Sequence, residues 1–234
     1  MTAHMAVSPP SSHPALPPMP SGGTWPAGST DEPEAISFRA PGTVQHFAPD
    51  RQIFADGEAS EHFYRVVSGV VRACKYLSDG RRQIEAFYVA GDMFGLEADT
   101  RHSLTTEAVN DATVVSYRRN AVEAAARKDA ALSAQLMSAT MRALGHARNH
   151  SLVLNRRCAA EKLASFLIEC AARTFDEDTI LLPMTRQDIA DYLGLTIETV
   201  SRTMTQMERD RLIALSNTRQ VHLRNRSALE DLVT

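Results

Sequence analysis

The sequence predicts an α+β chain with three parts in order: an N-terminal antiparallel β-roll of cupin-like shape, a long helix, and a C-terminal winged helix-turn-helix. Three observations carry that reading. Short β-rich runs recur about every ten residues and are punctuated by Gly57, Gly69, Asp79 with Gly80, Gly91 and Gly95. From residue 130 the pattern becomes helical for some 25 residues, with one apolar stripe. Between Thr185 and Ile213 two short amphipathic segments meet at Leu193, Gly194 and Leu195, as two helices joined by a tight turn do.

Four segments follow from composition and pattern: a tail at 1–42, a β-roll at 43–119, a linker and long helix at 120–155, and a winged helix-turn-helix at 156–234. The tail holds nine of the eleven prolines, four glycines and many serines, a composition too poor in apolar residues to bury a core, so it is expected to be disordered. Trp25 lies within it. In the β-roll, Val71, Ala73 and Lys75 alternate with Arg72, Cys74 and Tyr76, and Asp79-Gly80 marks a hairpin. A strand follows over residues 82–89, and residues 108–117 give further strands.

A short helix is expected over 120–128 and a long one over 130–155. On the long helix Met137, Thr140, Leu144, Ala147, Ser151 and Leu154 recur at a spacing of three and four, the period of a coiled-coil seam. No charged residue falls in that seam. The stripe outlasts what one small β domain covers, so a parallel homodimer is the expected arrangement, with packing on the chain's own β domain as the alternative. The next helix, 159–175, carries Leu163, Phe166, Leu167 and Cys170 on one side. An acidic loop, Asp176, Glu177 and Asp178, leads into the helix pair.

Thr185 can cap the first helix of that pair with Asp188 as capping-box partner, and Ile189, Ala190 and Leu193 form its buried side. Gly194 supplies the positive φ of the turn. Thr196 can cap the second helix, which buries Ile197, Val200, Met204 and Met207 and exposes Glu198, Ser201, Arg202 and Gln206. A carboxylate, a hydroxyl and a guanidinium on the open N-terminal face of a helix suit the reading of base edges. Residues 213–215 and 221–223, joined through Ser216, Asn217 and Thr218, form the expected wing, and a last short helix starts near Ser227.

Composition limits the function. The net charge is −3, and from Pro183 onward seven arginines face seven acidic residues with no lysine. The positive field is therefore local, resting on Arg186, Arg219, His222, Arg224 and Arg226. No run of 18 apolar residues and no secretory signal pattern is present, so a cytoplasmic protein without a membrane partner is expected. Cys74, Cys158 and Cys170 match neither a disulfide framework nor a zinc pattern. Cys158 and Cys170 are redox candidates, with ordinary thiols as the alternative. No paired acid and base, metal triad or nucleophile motif occurs, so no enzyme, metal site or catalytic residue is expected.

The segments VVSGVVRACKYLSDGRRQIEAFYVAGDMFG, RRCAAEKLASFL and LPMTRQDIADYLGLTIETVSR together resemble the CRP/FNR superfamily of bacterial transcription regulators, and most closely its FixK-like branch. The resemblance covers residues 42–231. It implies a sensor-type β-roll, a dimerisation helix and a homodimer on double-stranded DNA. The base-reading positions of the family fall on Glu198, Ser201 and Arg202, the set that reads TTGAT-like palindromes. Thr185, Arg186, Gln187, Thr196 and Arg219 fall at phosphate-positioning places. RNA polymerase is the implied partner of an activator, with the loops at Asp176–Asp178 and Asp79-Gly80-Arg81 as contact candidates. Low-oxygen respiration, nitrogen-fixation or denitrification genes are the implied targets. Iron–sulfur members carry a cysteine cluster near the N-terminus, whereas this chain has no cysteine before Cys74. Leu96 stands where cyclic-nucleotide members have a glutamate, and Thr105 and Thr106 stand where they have an Arg-Ser or Arg-Thr pair. No cofactor is therefore expected. The alternative is an effector-gated regulator holding haem or another small ligand in the β-roll, with His102 as a loop histidine and Arg101 as a displaced cation.

Overall fold

A computed structural model describes residues 42–173 and 178–234. Residues 1–41 of the predicted tail, and Thr174, Phe175, Asp176 and Glu177 of the predicted helix end and acidic loop, lie outside the described residues.

Eight antiparallel strands come first: β1 (Thr43–Phe47), β2 (Gln52–Phe54), β3 (His62–Ser68), β4 (Val71–Tyr76), β5 (Arg82–Tyr88), β6 (Met93–Phe94), β7 (Thr105–Ala108) and β8 (Ala112–Arg118). They form two four-stranded sheets, ordered β1-β8-β3-β6 and β2-β7-β4-β5. Between them lie Phe54, Tyr64, Val66, Val71, Phe94, Ala108, Ala112 and Val114. The predicted hairpin joins β4 to β5, with Gly80 at φ 85°. The further strands expected over 108–117 are the end of β7 and β8: Val109, Asn110 and Asp111 turn the chain from one into the other, and the Asn110 side chain accepts from the Val70 N–H at 2.8 Å.

The expected alternation of β4 is not what the strand shows. Val71, Arg72, Ala73 and Cys74 are all buried in a row. The physical reason is a second cover. Val71 points into the β-roll, while Cys74 shares a core with Val70, Ile84, Val89 and the C-terminal helices. A strand covered on both faces loses its polar side.

Helices α1 (Arg119–Ala126), α2 (Ala130–Leu154) and α3 (Ala159–Ala172) follow. Asp129 caps α2 by accepting from the N–H groups of Ala131 and Leu132. The first half of α2 packs Leu132, Leu136 and Ala139 on Phe63, Met93, Val115 and Tyr117 of the β-roll. Near its end Val153 enters the C-terminal core, and the His150 ring stacks on Tyr192 at 4.0 Å. Strand β9 (Thr179–Leu181), helices α4 (Arg186–Leu193) and α5 (Ile197–Arg209), strands β10 (Ile213–Leu215) and β11 (Gln220–Leu223), and helix α6 (Arg226–Asp231) complete the chain. The wing is a three-stranded sheet ordered β10-β11-β9, so the apolar run before Pro183 supplies a strand that the sequence reading passed over.

Candidate nucleic-acid interface

The helix pair forms as its sequence dictates. Thr185 N–H and O–H donate to Asp188 Oδ2 at 2.9 and 2.8 Å, and the Asp188 N–H returns a bond to Thr185 Oγ1 at 3.0 Å. This is a closed capping box. Gly194 ends α4 in the left-handed region at φ 62° and ψ 42°, where a side chain is strained. Thr196 caps α5 by accepting from the Thr199 N–H at 3.2 Å. Val200, Met204 and Met207 turn inward. Ile197 departs from the expectation: it is 37% exposed, because the first residue of α5 lies beyond the core that the later turns reach.

Glu198, Ser201 and Arg202 stand together on the exposed face of α5. Arg202 Nε donates to the Glu198 carbonyl at 3.4 Å, a weak tether that leaves its guanidinium outward. Backbone and Thr196 hydrogen bonds hold the Glu198 carboxyl below its ordinary range, so it presents an acceptor. Thr185 and Gln187 are exposed at the N-terminus of α4, the helix that packs against α5. Arg186 is half-buried; burial lowers its guanidinium pKa, and its Nη1 has no hydrogen-bond partner among the described residues. Arg219 enters the wing at the start of β11, its N–H bonded to Asn217 Oδ1 at 2.8 Å. Such an array can hold phosphates at one edge and aim three chemically distinct groups at a groove.

The remaining sequence-predicted residues divide. Met137, Thr140, Leu144, Ala147 and Ser151 are exposed along one side of α2, joined there by Met141 at 58% and Leu152 at 68% exposure. Leu154, the last residue of the predicted seam, is half-buried beside Gly194 of its own chain. Cys158 is exposed, and its Sγ lies 3.0 Å from Glu161 Oε1. Cys170 is buried, and burial pushes its thiol up, away from the reactive thiolate. His102 is no solvated loop residue: it is 3% exposed, stacked on Phe54 at 3.6 Å, with Nδ1 3.1 Å from Glu97 Oε2.

One group of residues had no signal in the sequence. Asp188 Oδ1, on the side away from the cap, receives Arg72 Nη1 at 3.3 Å and Arg82 Nη2 at 2.5 Å. Arg72 also donates to Glu107 Oε2 and Asp50 Oδ1, each at 2.9 Å, and Arg82 Nε donates to Asp191 Oδ2 at 2.8 Å. Burial alone would lower both guanidinium pKa values. For Arg72 the charge of Asp188 and the Glu107 bond outweigh burial, and for Arg82 Asp191 and Asp188 do, so both are raised. The partners are 116 and 106 residues apart, beyond the reach of any local pattern.

Residues 44–129 match the cyclic nucleotide-binding domain family, and residues 161–232 match the Crp-like helix-turn-helix domain family. The nitrogen fixation regulation protein FixK of Azorhizobium caulinodans is 45% identical over 196 residues, covering 82% of this chain and 79% of that protein. The chain belongs to the CRP/FNR family. FixK of Rhizobium meliloti is 39% identical over 192 residues, covering 82% of the chain and 88% of that protein. The structure of FixK2 from Bradyrhizobium japonicum superposes with a TM-score of 0.79 at 42% identity, covering 83% of this chain and 98% of that one. This CRP/FNR member is thus a FixK-like transcription regulator that binds DNA through its helix-turn-helix.

The residues of its β-roll do not fit a cyclic nucleotide. A bound phosphate needs an available cation. Thr105 and Thr106 are buried in β7, and Arg101 Nη1 donates to the Gly57 carbonyl. Arg119 lies over the Phe63 ring and donates to the Gly95 and Glu97 carbonyls. A cleft of about 330 Å³ between β5, α2 and α3 offers Arg142 and Arg173, but Glu85, Asp92 and Glu169 line it too, and Arg173 is bonded to Asp92. No step of the function is routed through such a ligand.

Proposed function

We propose that this regulator activates transcription as a homodimer on a TTGAT-like palindrome, without a small-molecule effector. The exposed face shared by Glu198, Ser201 and Arg202 carries the reading. Arg202 bonds bidentately to guanine O6 and N7, Glu198 accepts from cytosine N4, and Ser201 touches a thymine. Thr185, Arg186, Gln187, Thr196 and Arg219 set the register on phosphates.

The unpartnered stripe of α2 supports the dimer: Met137, Met141 and Leu144 are 58%, 58% and 44% exposed on one side of a helix whose other side is covered. Two-fold symmetry then sets two α5 helices about 34 Å apart, one turn of duplex. The division of labour is 43–119 for the β-roll, 120–155 for dimerisation and 156–234 for DNA. RNA polymerase is the partner, met by exposed loops such as Asp79-Gly80-Arg81. The names of its FixK relatives support a role in nitrogen-fixation control, and the same branch supports low-oxygen respiration and denitrification genes, all acting in the cytoplasm.

Arg202→Ala tests the reading. In a competition gel shift it loses about 1–3 kcal/mol of preference per half-site, while sedimentation still shows the dimer. A variant that held the palindrome as tightly as the parent would end the proposal. Added cyclic nucleotide leaves the parent's affinity unchanged.

A further inference from the structure

The carboxylate that caps α4 has a second connection. Asp188 Oδ2 accepts from the Thr185 N–H and O–H, and Oδ1 accepts from Arg72 of β4 and Arg82 of β5. One turn along, Asp191 gives Oδ2 to Arg82 and Oδ1 to Gln187. The Arg72 and Asp188 side chains are 7% and 3% exposed, so this is a buried junction between the β-roll and the DNA-binding head. It meets the head at the end of α4 that carries Thr185, Arg186 and Gln187. Beside it, Phe87 of β5 and Tyr192 of α4 lie ring to ring at 5.3 Å.

Apolar contacts alone let one body slide on another, whereas forked guanidinium–carboxylate bonds hold only near one alignment. A buried ionic junction is also costly to half-break, because the stranded charges have no water to receive them. Two cations here answer four carboxylates, Glu107, Asp188, Asp191 and the more exposed Asp50, so loss of either arginine widens an excess of negative charge that is already present.

We propose that Arg72 and Arg82 are positioning residues for DNA binding. They lock the head on the β-roll in one attitude, so that the two heads of a dimer stand at one separation without a ligand to set it. The proposal rests on the two-fold reading above. It predicts that the junction governs the preferred spacing between half-sites, which a residue serving only the stability of the fold would not.

The test compares fluorescence anisotropy on two duplexes, one carrying TTGAT half-sites at the preferred spacing and one with two base pairs added between them. The parent prefers the first by at least about tenfold, and Arg82→Gln and Asp191→Asn each cut that ratio to about twofold, as a head that is competent only part of the time requires. Neither substitution touches the Thr185 cap. Arg82→Lys, which keeps the charge, retains most of the preference. An equal loss on both duplexes, or no loss on either, overturns the lock and leaves the two-fold reading standing. A parent indifferent to spacing overturns the two-fold reading, and the lock falls with it.

Discussion

Asp188 shows how far one side chain's meaning depends on where it is read. In the sequence it is the third residue of a helix cap, a local feature worth about 1 kcal/mol. In the structure it is 2% exposed and faces two guanidiniums as well. Removing it therefore does more than open a cap, because Arg72 and Arg82 each lose a buried partner, although Glu107, Asp50 and Asp191 still answer them. Asp188→Ala is expected to lower the unfolding free energy by about 1.5–3 kcal/mol beyond the cap, against about 1 kcal/mol for Thr185→Ala, which opens the same box from its exposed side. Urea denaturation of the two variants separates these values, and equal losses would reduce Asp188 to a cap. The cysteines divide on the same grounds: Cys158 is open to solvent, whereas Cys170 is sealed in the core as a thiol.

Among the elements, α2 joins the halves of the chain and leaves one side over. Leu132 and Ala139 bind it to the β-roll, and Val153 and His150 bind it to the DNA-binding head. The opposite side shows Met137, Met141, Leu144 and Leu152 to solvent, which is a large apolar surface for a single helix. A charge placed there disturbs nothing within the chain. The double variant Met141→Glu with Leu144→Glu is expected to keep its melting temperature and to sediment as a monomer. Its affinity for the palindrome should fall by about a hundredfold or more, because linked half-sites no longer share one binder. A dimer that survived both charges would move the interface elsewhere on the molecule.

At the scale of the whole molecule the two halves share a core, and with it a response to alkaline pH. Cys74 of β4 lies beneath the C-terminal helices, and burial, then the charge of Glu107, pushes its thiol from 9.0 up to about 11. The Tyr76 hydroxyl is pushed from 10.0 up to about 12 by burial and by its bond to Glu107. Both groups hold their protons more tightly in the folded chain than in the unfolded one. Their contribution is complete below the unfolded values and is lost as pH rises through the folded ones. The melting temperature should stay level up to about pH 9 and fall progressively towards about pH 12. Cys74→Ala should move the onset up towards the range of the tyrosines. Melts followed by circular dichroism at stepped pH check both, and a level profile through pH 11 would contradict them.

What the sequence determined by itself is whatever depends on neighbours along the chain. The capping box, the Gly194 turn, the exposed trio on α5, the wing hairpin and the period of α2 all rest on spacings of a few residues, and local sterics and hydrogen bonding settle such features. Family motifs extended that reach to the fold and its DNA-binding role. Tertiary structure alone decided what lies against what. Four buried residues in a row on β4 become intelligible only once a second core covers that strand. Leu154 is half-buried because Gly194 of its own chain is beside it, and His102 leaves solvent because Phe54 lies under it. The union of Arg72 and Arg82 with Asp188 joins residues more than a hundred positions apart. Burial and long-range charge pairing belong to the folded surface, where the dielectric falls and partners are chosen by shape, and no window along the chain contains them.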